Sequence, residues 1–317
     1  MNQKISVIIP AYNATAYVTD AINSVLIQKY TPIEIILVDD GSTDGTADLV
    51  RSQAPEVLII QQENAGVAAA RNTGLREATG NFICFLDADD GWFPGKLKAQ
   101  IEYLQRHPET GLLYHDWLVW KPDADGIYRL PLQSTKESNS EQIDPLKSGW
   151  VYPQLLLCCI IHTSAVMLRR TIAEQVGYFD TTLINGEDYN YWLRVSRLCK
   201  IHKLTGMYSF YRTAPNSLTS RPKNINYESF VLERALREWG VTSPDGRRVD
   251  PVLLQQRLYQ LSMSFGYAHF HVGSAELASQ SFRIALRHDP FRWRAIAYLL
   301  AAKLKAIYQN SGWNRQR

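Results

Sequence analysis

At 317 residues, with 45% hydrophobic and 21% charged side chains, the chain can hold one large domain or two modest ones of ordinary globular composition. A disordered chain, a fibrous repeat and a disulfide-stapled mini-protein are excluded, and a net charge of +3 does not by itself suggest nucleic acid. The total hides an asymmetry: residues 1–220 hold 19 basic and 24 acidic side chains, whereas residues 221–317 hold 15 and 7, so the second region should prefer anionic surfaces.

The chain begins MNQKISVIIPAYNA, with a single lysine ahead of a short apolar run. This reads as a first strand at Ile5–Ile9, stopped by Pro10, and not as a signal peptide. Helical spacing over Ala16–Gln28 is followed by a strand at Ile33–Val38 and a turn cluster at 39–46. A helix through Ala47, Leu49 and Val50, a strand at Val57–Ile60, a helix at Ala65–Ala78 and a strand at Phe82–Leu86 complete the first third. Continuous apolar strands separated by helices predict a parallel sheet covered on both faces. Ligands gather at the carboxyl ends of such strands. Polar clusters stand at three of those ends: Tyr12 and Asn13, Asp39 to Ser42, and Asp87 to Asp90.

Residues 121–150 are polar and turn-rich, as expected of an insertion or lid. An apolar return at Gln154–Leu168 leads to a short helix at Thr171–Val176, a helix at Glu187–Arg197 and a last strand at Ile201–Tyr211. Beyond Arg221 and Pro222 only helical spacing is found: Tyr227–Trp239, Pro251–Val272, Ala275–Arg287 and Phe291–Tyr308. The boundary therefore falls near residues 220–226, giving regions 1–222 and 223–317. Within the second, Gly266, Gly273, Ala278, Phe282, Ala285 and Pro290 stand at the spacings of one tetratricopeptide helix pair, although a single unit makes no solenoid and an ordinary helical hairpin packed on its neighbours explains them as well. The four cysteines (Cys84, Cys158, Cys159 and Cys199) lack metal or redox spacing and point to a reducing, cytoplasmic setting. No run reaches the roughly 18 apolar residues of a membrane span.

Four clusters carry candidate chemistry. Asp87, Asp89 and Asp90 offer oxygen ligands suited to Mg²⁺ or Mn²⁺, although a solvated turn explains them equally well. In VDDGSTDGT, Asp39 or Asp40 can accept from a nucleobase N–H or ribose hydroxyl, while Ser42, Thr43 or Asp44 can cap the next helix. Arg71 lies in a small-residue helix, where it can answer a phosphate, fix Asp89 or join a surface ion pair. Glu187 and Asp188 open a helix, which dipole alone favours, yet either can be a general base.

Taken in order, SVIIPAYNA, VDDGSTDGT, NAGVAAARNTGL, FLDADD, GYFD and GEDYNYWLR resemble a family 2 glycosyltransferase over about residues 4–215. The resemblance is to the inverting type that builds bacterial polysaccharides and cell-surface glycans. It implies the GT-A fold: α/β, Rossmann-like, with a mixed and mostly parallel sheet, helices on both faces, and here an added all-helical C-terminal region. By position, Pro10, Tyr12 and Asn13 would border the nucleotide, and Asp39 would bond the uracil or ribose with Asp40 behind it. Arg71 would bridge the donor site and Asp87 would contact ribose or sugar. Asp89 would ligate the divalent metal, Mn²⁺ or Mg²⁺. Asp188 would be the base, with Glu187 on the acceptor side. The implied reaction moves a sugar from a nucleoside-diphosphate donor, a UDP-sugar, to a hydroxyl of a glycan or lipid-linked acceptor.

Two departures qualify the match. Relatives often carry a His in the segment aligned with YRTAPNSLTS, where this chain has Ala214. The Gln-x-x-Arg-Trp signature of processive synthases is absent, which implies addition of one sugar and release. The alternative from another class is a silent scaffold that binds a partner through its helices; such a chain should have lost acids, and Asp39, Asp87, Asp89 and Asp188 are present. A nucleic-acid partner is not expected of a net-acidic first region. On the last helix, Trp293, Ile296, Ala297, Leu300, Leu304 and Ile307 share a stripe flanked by Arg292 and Lys303 on one side, Arg294 and Lys305 on the other. Residues 291–317 hold six basic side chains and no acid. The stripe either packs on its own domain or touches the inner face of a cytoplasmic membrane peripherally. The helical region is also a candidate homodimer surface.

Overall fold

β-Branched, apolar segments form the strands of the computed structural model, which describes residues 3–123, 125, 128, 142–213 and 222–310. The chain divides into two compact units: Met1–Ala214 with Ser243–Asp245, and Pro215–Thr242 with Gly246–Arg317.

The first unit alternates β1 (Ile5–Ala11), α1 (Val18–Leu26), β2 (Ile33–Asp39), α2 (Thr46–Gln53), β3 (Leu58–Gln61), α3 (Val67–Glu77) and β4 (Phe82–Phe85). It continues through β5 (Gly91–Trp92), α4 (Lys96–Arg106), β6 (Thr110–Trp120), α5 (Tyr152–Leu157), β7 (Met167–Arg169), α6 (Arg170–Val176), α7 (Glu187–Leu198) and β8 (Lys200–Arg212). These strands make one eight-stranded sheet in the order β3-β2-β1-β4-β7-β6-β8-β5. Pairing is parallel from β3 to β4 and between β6 and β8, and antiparallel where β7 meets β4 and β6 and where β5 meets β8. The mixed, mostly parallel sheet expected from the sequence is therefore present. Every residue of β1 is buried, because strands flank it and helices cover it. On one face α3 lies so close that a Cβ on Gly74 would fall 2.3 Å from Ile8 Cγ2.

Three local readings change. β1 runs through Pro10 to Ala11. Leu86 N–H donates to Ile8 O on the β4 side and Asp40 N–H to Ala11 O on the β2 side, so bonding alternates along the strand. The missing N–H of Pro10 thus falls on the β4 side, where the ladder has already ended at Ile8. β5, at Gly91–Trp92 just past the acidic turn, lies in a stretch where the sequence reading assigned no strand. β6 was not assigned from the sequence: its apolar run is interrupted by His115 and Asp116, where the register also slips.

Glu34 ties the lower ends of β1, β2 and β4 together. Its carboxylate pairs with Lys4 Nζ at 2.5 Å and accepts from Ser6 Oγ, from Thr79 N–H at 2.7 Å and from Gly80 N–H at 3.2 Å. Burial works against the charge, but these donors win and hold the carboxyl down at about 2, from an ordinary 4.5. A depressed carboxyl stabilises the fold above its unfolded pKa and loses that contribution as pH falls through the folded value. Glu34→Gln is expected to lower stability at pH 7 by about 1–2 kcal/mol, allowing for solvent screening. Its urea midpoint should also fall less than wild type between pH 4.5 and 2; parallel acid profiles would show that Glu34 contributes nothing there.

The second unit consists of α8 (Tyr227–Trp239), α9 (Pro251–Val272), α10 (Ala275–His288) and α11 (Trp293–Asn310). Asp250 caps α9 by accepting from Val252 N–H at 2.7 Å, ahead of Pro251 in the first turn, where a missing donor is harmless. Gly266 lets α10 approach, since a Cβ there would meet Phe282 Cε1 at 2.7 Å; Ala278, Phe282 and Ala285 are fully buried along this seam.

Candidate active site

Because β1, β2 and β4 are parallel neighbours, their carboxyl ends open on one edge. Pro10 is buried inside β1, so only Tyr12, which is exposed, and the turn at Asn13 stand at the lip. Asn13 has φ +48°, a left-handed conformation that asparagine tolerates. Its N–H donates to Ser42 Oγ at 2.9 Å and its Oδ1 accepts from Thr43 N–H at 2.9 Å. The asparagine thereby ties the β1 end to the β2 loop. Gly45 is the N-cap of α2, and Asp44 just ahead of it accepts from Thr46 N–H and Oγ1 and from Thr15.

The consecutive acids divide their work. Asp40 is buried and committed: it accepts from Gln62 Nε2 at 2.7 Å, Ala65 N–H at 3.0 Å and Gly66 N–H at 2.8 Å, which clamps the start of α3. Asp39 is buried too, accepting Ser42 N–H at 3.0 Å and only a long contact from Gln61 Nε2 at 3.3 Å. A carboxylate has about four acceptor positions, so Asp39 keeps capacity for a ligand donor.

Five residues into α3, Arg71 is almost fully buried and divides its fork between Asp87 Oδ1 at 2.7 Å and Glu187 Oε1 at 2.8 Å. Asp89, the partner offered by the sequence, is not the one it takes. Burial opposes the charge of Arg71, but Asp87, then Glu187 and Asp188, outweigh it and raise its pKa above the ordinary value. Its Nε is buried without a hydrogen-bond partner. This one side chain brings together the acidic turn after β4 and the acids that open α7.

Residues 87–90 form a turn closed by Asp90 N–H donating to Asp87 O at 3.0 Å. Burial and the charge of Asp87 push the Asp89 carboxyl up to about 6. Burial and both neighbours raise Asp90 well above the carboxylate range, although it accepts from Ser164 Oγ at 2.6 Å. Asp89 and Asp90, pressed by burial and by the neighbouring Asp87, form an environment that a cation would relieve. No group of three or more His, Cys, Asp or Glu side chains among the described residues could cage an ion alone. Carboxylate oxygens at a strand end are the donors that suit Mg²⁺ or Mn²⁺, ions that complete their shells with water and substrate phosphate oxygens. Asp89 would hold such an ion, with Asp87 beside it.

Gly186, at φ +76°, turns the chain into α7. Glu187 is buried, and burial with the adjacent Asp188 raises its carboxyl against the pull of Arg71. Asp188 is half-buried, accepting from Thr163 Oγ1 at 3.3 Å and from Tyr189 N–H at 2.7 Å. Of the two acids, Asp188 is the one not spent on Arg71.

Sequence reading missed the segment joining these parts. Thr163 reaches Asp188, while Ser164 reaches Asp90 and accepts from Asp87 N–H at 3.2 Å. His162 stacks on Trp117 with ring centroids 5.0 Å apart, lies edge-on to Tyr211, and leaves Nδ1 buried without a partner. Burial lowers its pKa, against the pull of Asp87 and Asp188. The available signal was a polar triplet, His162-Thr163-Ser164, interrupting the apolar run 154–168. Arg212 was missed as well: its Nε donates to Asp89 O at 3.0 Å and its N–H to Asp90 Oδ1 at 3.2 Å, so it fixes the acidic turn from β8. Ala214, where relatives often carry a His, lies outside the described residues, as does residue range 131–141 of the expected lid.

Comparison with known proteins shows the family and the fold. The family model described as glycosyl transferase family 2 matches residues 6–176, more than half of the chain. An uncharacterized glycosyltransferase of Nostoc sp. is 38% identical over 183 residues, 56% of this chain and 54% of its own. The chain spans about half the length of that relative and 60% of two from Rickettsia. The Escherichia coli protein named UDP-Glc:alpha-D-GlcNAc-diphosphoundecaprenol beta-1,3-glucosyltransferase WfaP is 30% identical over 233 residues, 72% of this chain and 85% of its own. Among solved structures, S. aureus TarS 1-349 in complex with UDP-GlcNAc superposes with a TM-score of 0.63 at 17% identity, over 99% of this chain and 92% of that one. The mannosyltransferase PcManGT of Pyrobaculum calidifontis, in complex with GDP-Man and Mn²⁺, gives 0.58 at 20% identity, over 98% and 88%. The sheet is thus that of the GT-A fold, and the chain belongs to glycosyl transferase family 2.

Proposed function

We propose that this protein is a non-processive, inverting glycosyltransferase that moves a sugar from a UDP-sugar to a hydroxyl of a glycan or lipid-linked acceptor. One observation carries the reading: Arg71 fastens Asp87 and Glu187 together, which sets the open acid, Asp188, beside the acidic turn at the strand ends. The name of WfaP, with its UDP-sugar donor and lipid-diphosphate acceptor, supports the donor and acceptor classes. A lipid-linked acceptor would set the work at the cytoplasmic face of a membrane.

Asp39 accepts from the base or ribose, with its position fixed by Asp40 and the clamp on α3. Tyr12 and the turn at Asn13 border the nucleotide. Asp87, oriented by Arg71, contacts the ribose or the sugar. A divalent ion on Asp89, when bound, would offset charge on the nucleoside diphosphate. Asp188 takes the proton of the acceptor hydroxyl as that oxygen bonds the anomeric carbon, while the bond from that carbon to the diphosphate oxygen breaks on the opposite face. A single displacement inverts the anomeric configuration.

Calorimetric titration with UDP, GDP and dTDP, each with and without Mn²⁺, tests the donor site. Tight binding of UDP only with metal is expected, and Asp89→Ala should weaken it by about tenfold or more, the cost of one charged ligand. Unchanged Mn²⁺-dependent affinity would remove Asp89 from the metal site. Failure to bind any of the three would favour the scaffold reading.

A further inference from the structure

The last helix settles one question left open by the sequence, and the answer concerns the second unit alone. α11 packs on its neighbours with small residues: Ala295 and Ala302 are completely buried, and Tyr298 and Leu299 join the cluster around Ala278 and Phe282. At 100° per residue these positions lie opposite the stripe read from the sequence. Trp293, Ile296, Leu300, Leu304 and Ile307 are instead between 42% and 71% exposed. The helix therefore has two apolar faces: one of Ala295, Tyr298, Leu299 and Ala302 that packs in the fold, and a bulky one that packs on nothing within the described residues.

What borders the bulky face selects its occupant. Arg292 and Lys303 line one edge, Arg294 and Lys305 the other, and no acid occurs from residue 291 to 317. Arg292 is matched by Asp289 at 2.6 Å, and Lys305 donates to Phe270 O at 2.5 Å. Arg294 lies against the Trp293 ring, 5.6 Å from its centroid. A second copy would bring the same basic edges together, and like charges would oppose the pairing. No helix among the described residues is long and apolar enough to cross a membrane. A basic-edged, apolar helix face with a tryptophan at one end is the form that lies in the plane of an anionic bilayer, apolar side chains in the acyl boundary and cations among the headgroups.

We propose that the Trp293–Ile307 face of α11 docks this protein on anionic lipid. The surface does not depend on the donor site, and it rests on the glycosyltransferase reading only for why a membrane-borne acceptor would be useful. The test is flotation of the full chain with vesicles of phosphatidylcholine alone and of phosphatidylcholine with phosphatidylglycerol, at low and high salt, beside sedimentation without lipid. Binding to the anionic vesicles only, weakened by salt, is expected. Leu300→Glu/Leu304→Glu should abolish it, and Arg294→Glu/Lys303→Glu should lower it by about tenfold or more. Circular dichroism and UDP affinity should stay as in wild type, so the result is separable from donor-site failure. Equal binding to neutral vesicles, no binding, or binding indifferent to both variants overturns the proposal. A dimer that Leu300→Glu/Leu304→Glu dissociates, with no lipid binding, assigns the face to a second copy and overturns it too.

Discussion

Asp188→Asn is expected to lower glycosyl transfer by roughly 10³-fold, within the range general-base removal produces, while UDP binding stays within about twofold of wild type. The substitution is nearly isosteric. Asparagine can still accept the Tyr189 N–H through its side-chain oxygen, and its amide can donate to Thr163 Oγ1 in place of accepting from it. The opening turn of α7 therefore keeps its geometry, and what disappears is a carboxylate able to take a proton. Glu187→Gln provides the contrast, because it breaks the ion pair with Arg71 and should cost stability as well as rate. Initial rates with a UDP-sugar panel, read beside calorimetry for UDP, separate the two. Transfer by Asp188→Asn at close to the wild-type rate would show that Asp188 is not the base.

Most of the site's edge was legible because parallel sheets concentrate ligand contacts at strand ends, and polar clusters punctuate those ends at Tyr12-Asn13, Asp39-Asp40 and Asp87-Asp90. The residues alone could not say which acid of a pair is spent on structure; only the resemblance chose Asp39 and Asp188. Asp40 and Glu187 are consumed by α3 and Arg71, whereas Asp39 and Asp188 keep open capacity, a division visible only through hydrogen-bond partners. The choice of Asp87 over Asp89 by Arg71 depends on the turn closed between Asp87 and Asp90. β6 was hidden because His115 and Asp116 interrupt its apolar run at the register slip, and with it went Trp117, the aromatic neighbour of His162. His162, Thr163 and Ser164 act through contacts reaching 25 to 77 positions along the chain, beyond any local pattern. On α11 periodicity found the stripe but cannot distinguish the face a helix buries from the one it presents; Ala295, Ala302, Tyr298 and Leu299 do the packing.

Arg71→Met should cost about 3–5 kcal/mol of stability, the usual cost of removing one partner from a buried ion pair. The guanidinium is held by two carboxylates in a side-chain environment only 4% exposed, and methionine would fill the space while leaving Glu187 and Asp87 facing each other without a cation. Burial already opposes ionisation of Glu187, so the variant must either protonate it or admit water. Arg71→Lys is a stricter test of geometry. An ammonium on a shorter reach cannot span Asp87 and Glu187 as a planar fork does, so it should keep the charge, recover part of the stability and still lose transfer. Pairing Arg71→Met with Glu187→Gln removes one stranded charge, and the double variant should be more stable than Arg71→Met alone. Urea midpoints for the four proteins decide the matter. If Arg71→Met unfolds within about 0.5 kcal/mol of wild type, the span of a surface change, Arg71 does not hold the two acids together and the placement of Asp188 needs another cause.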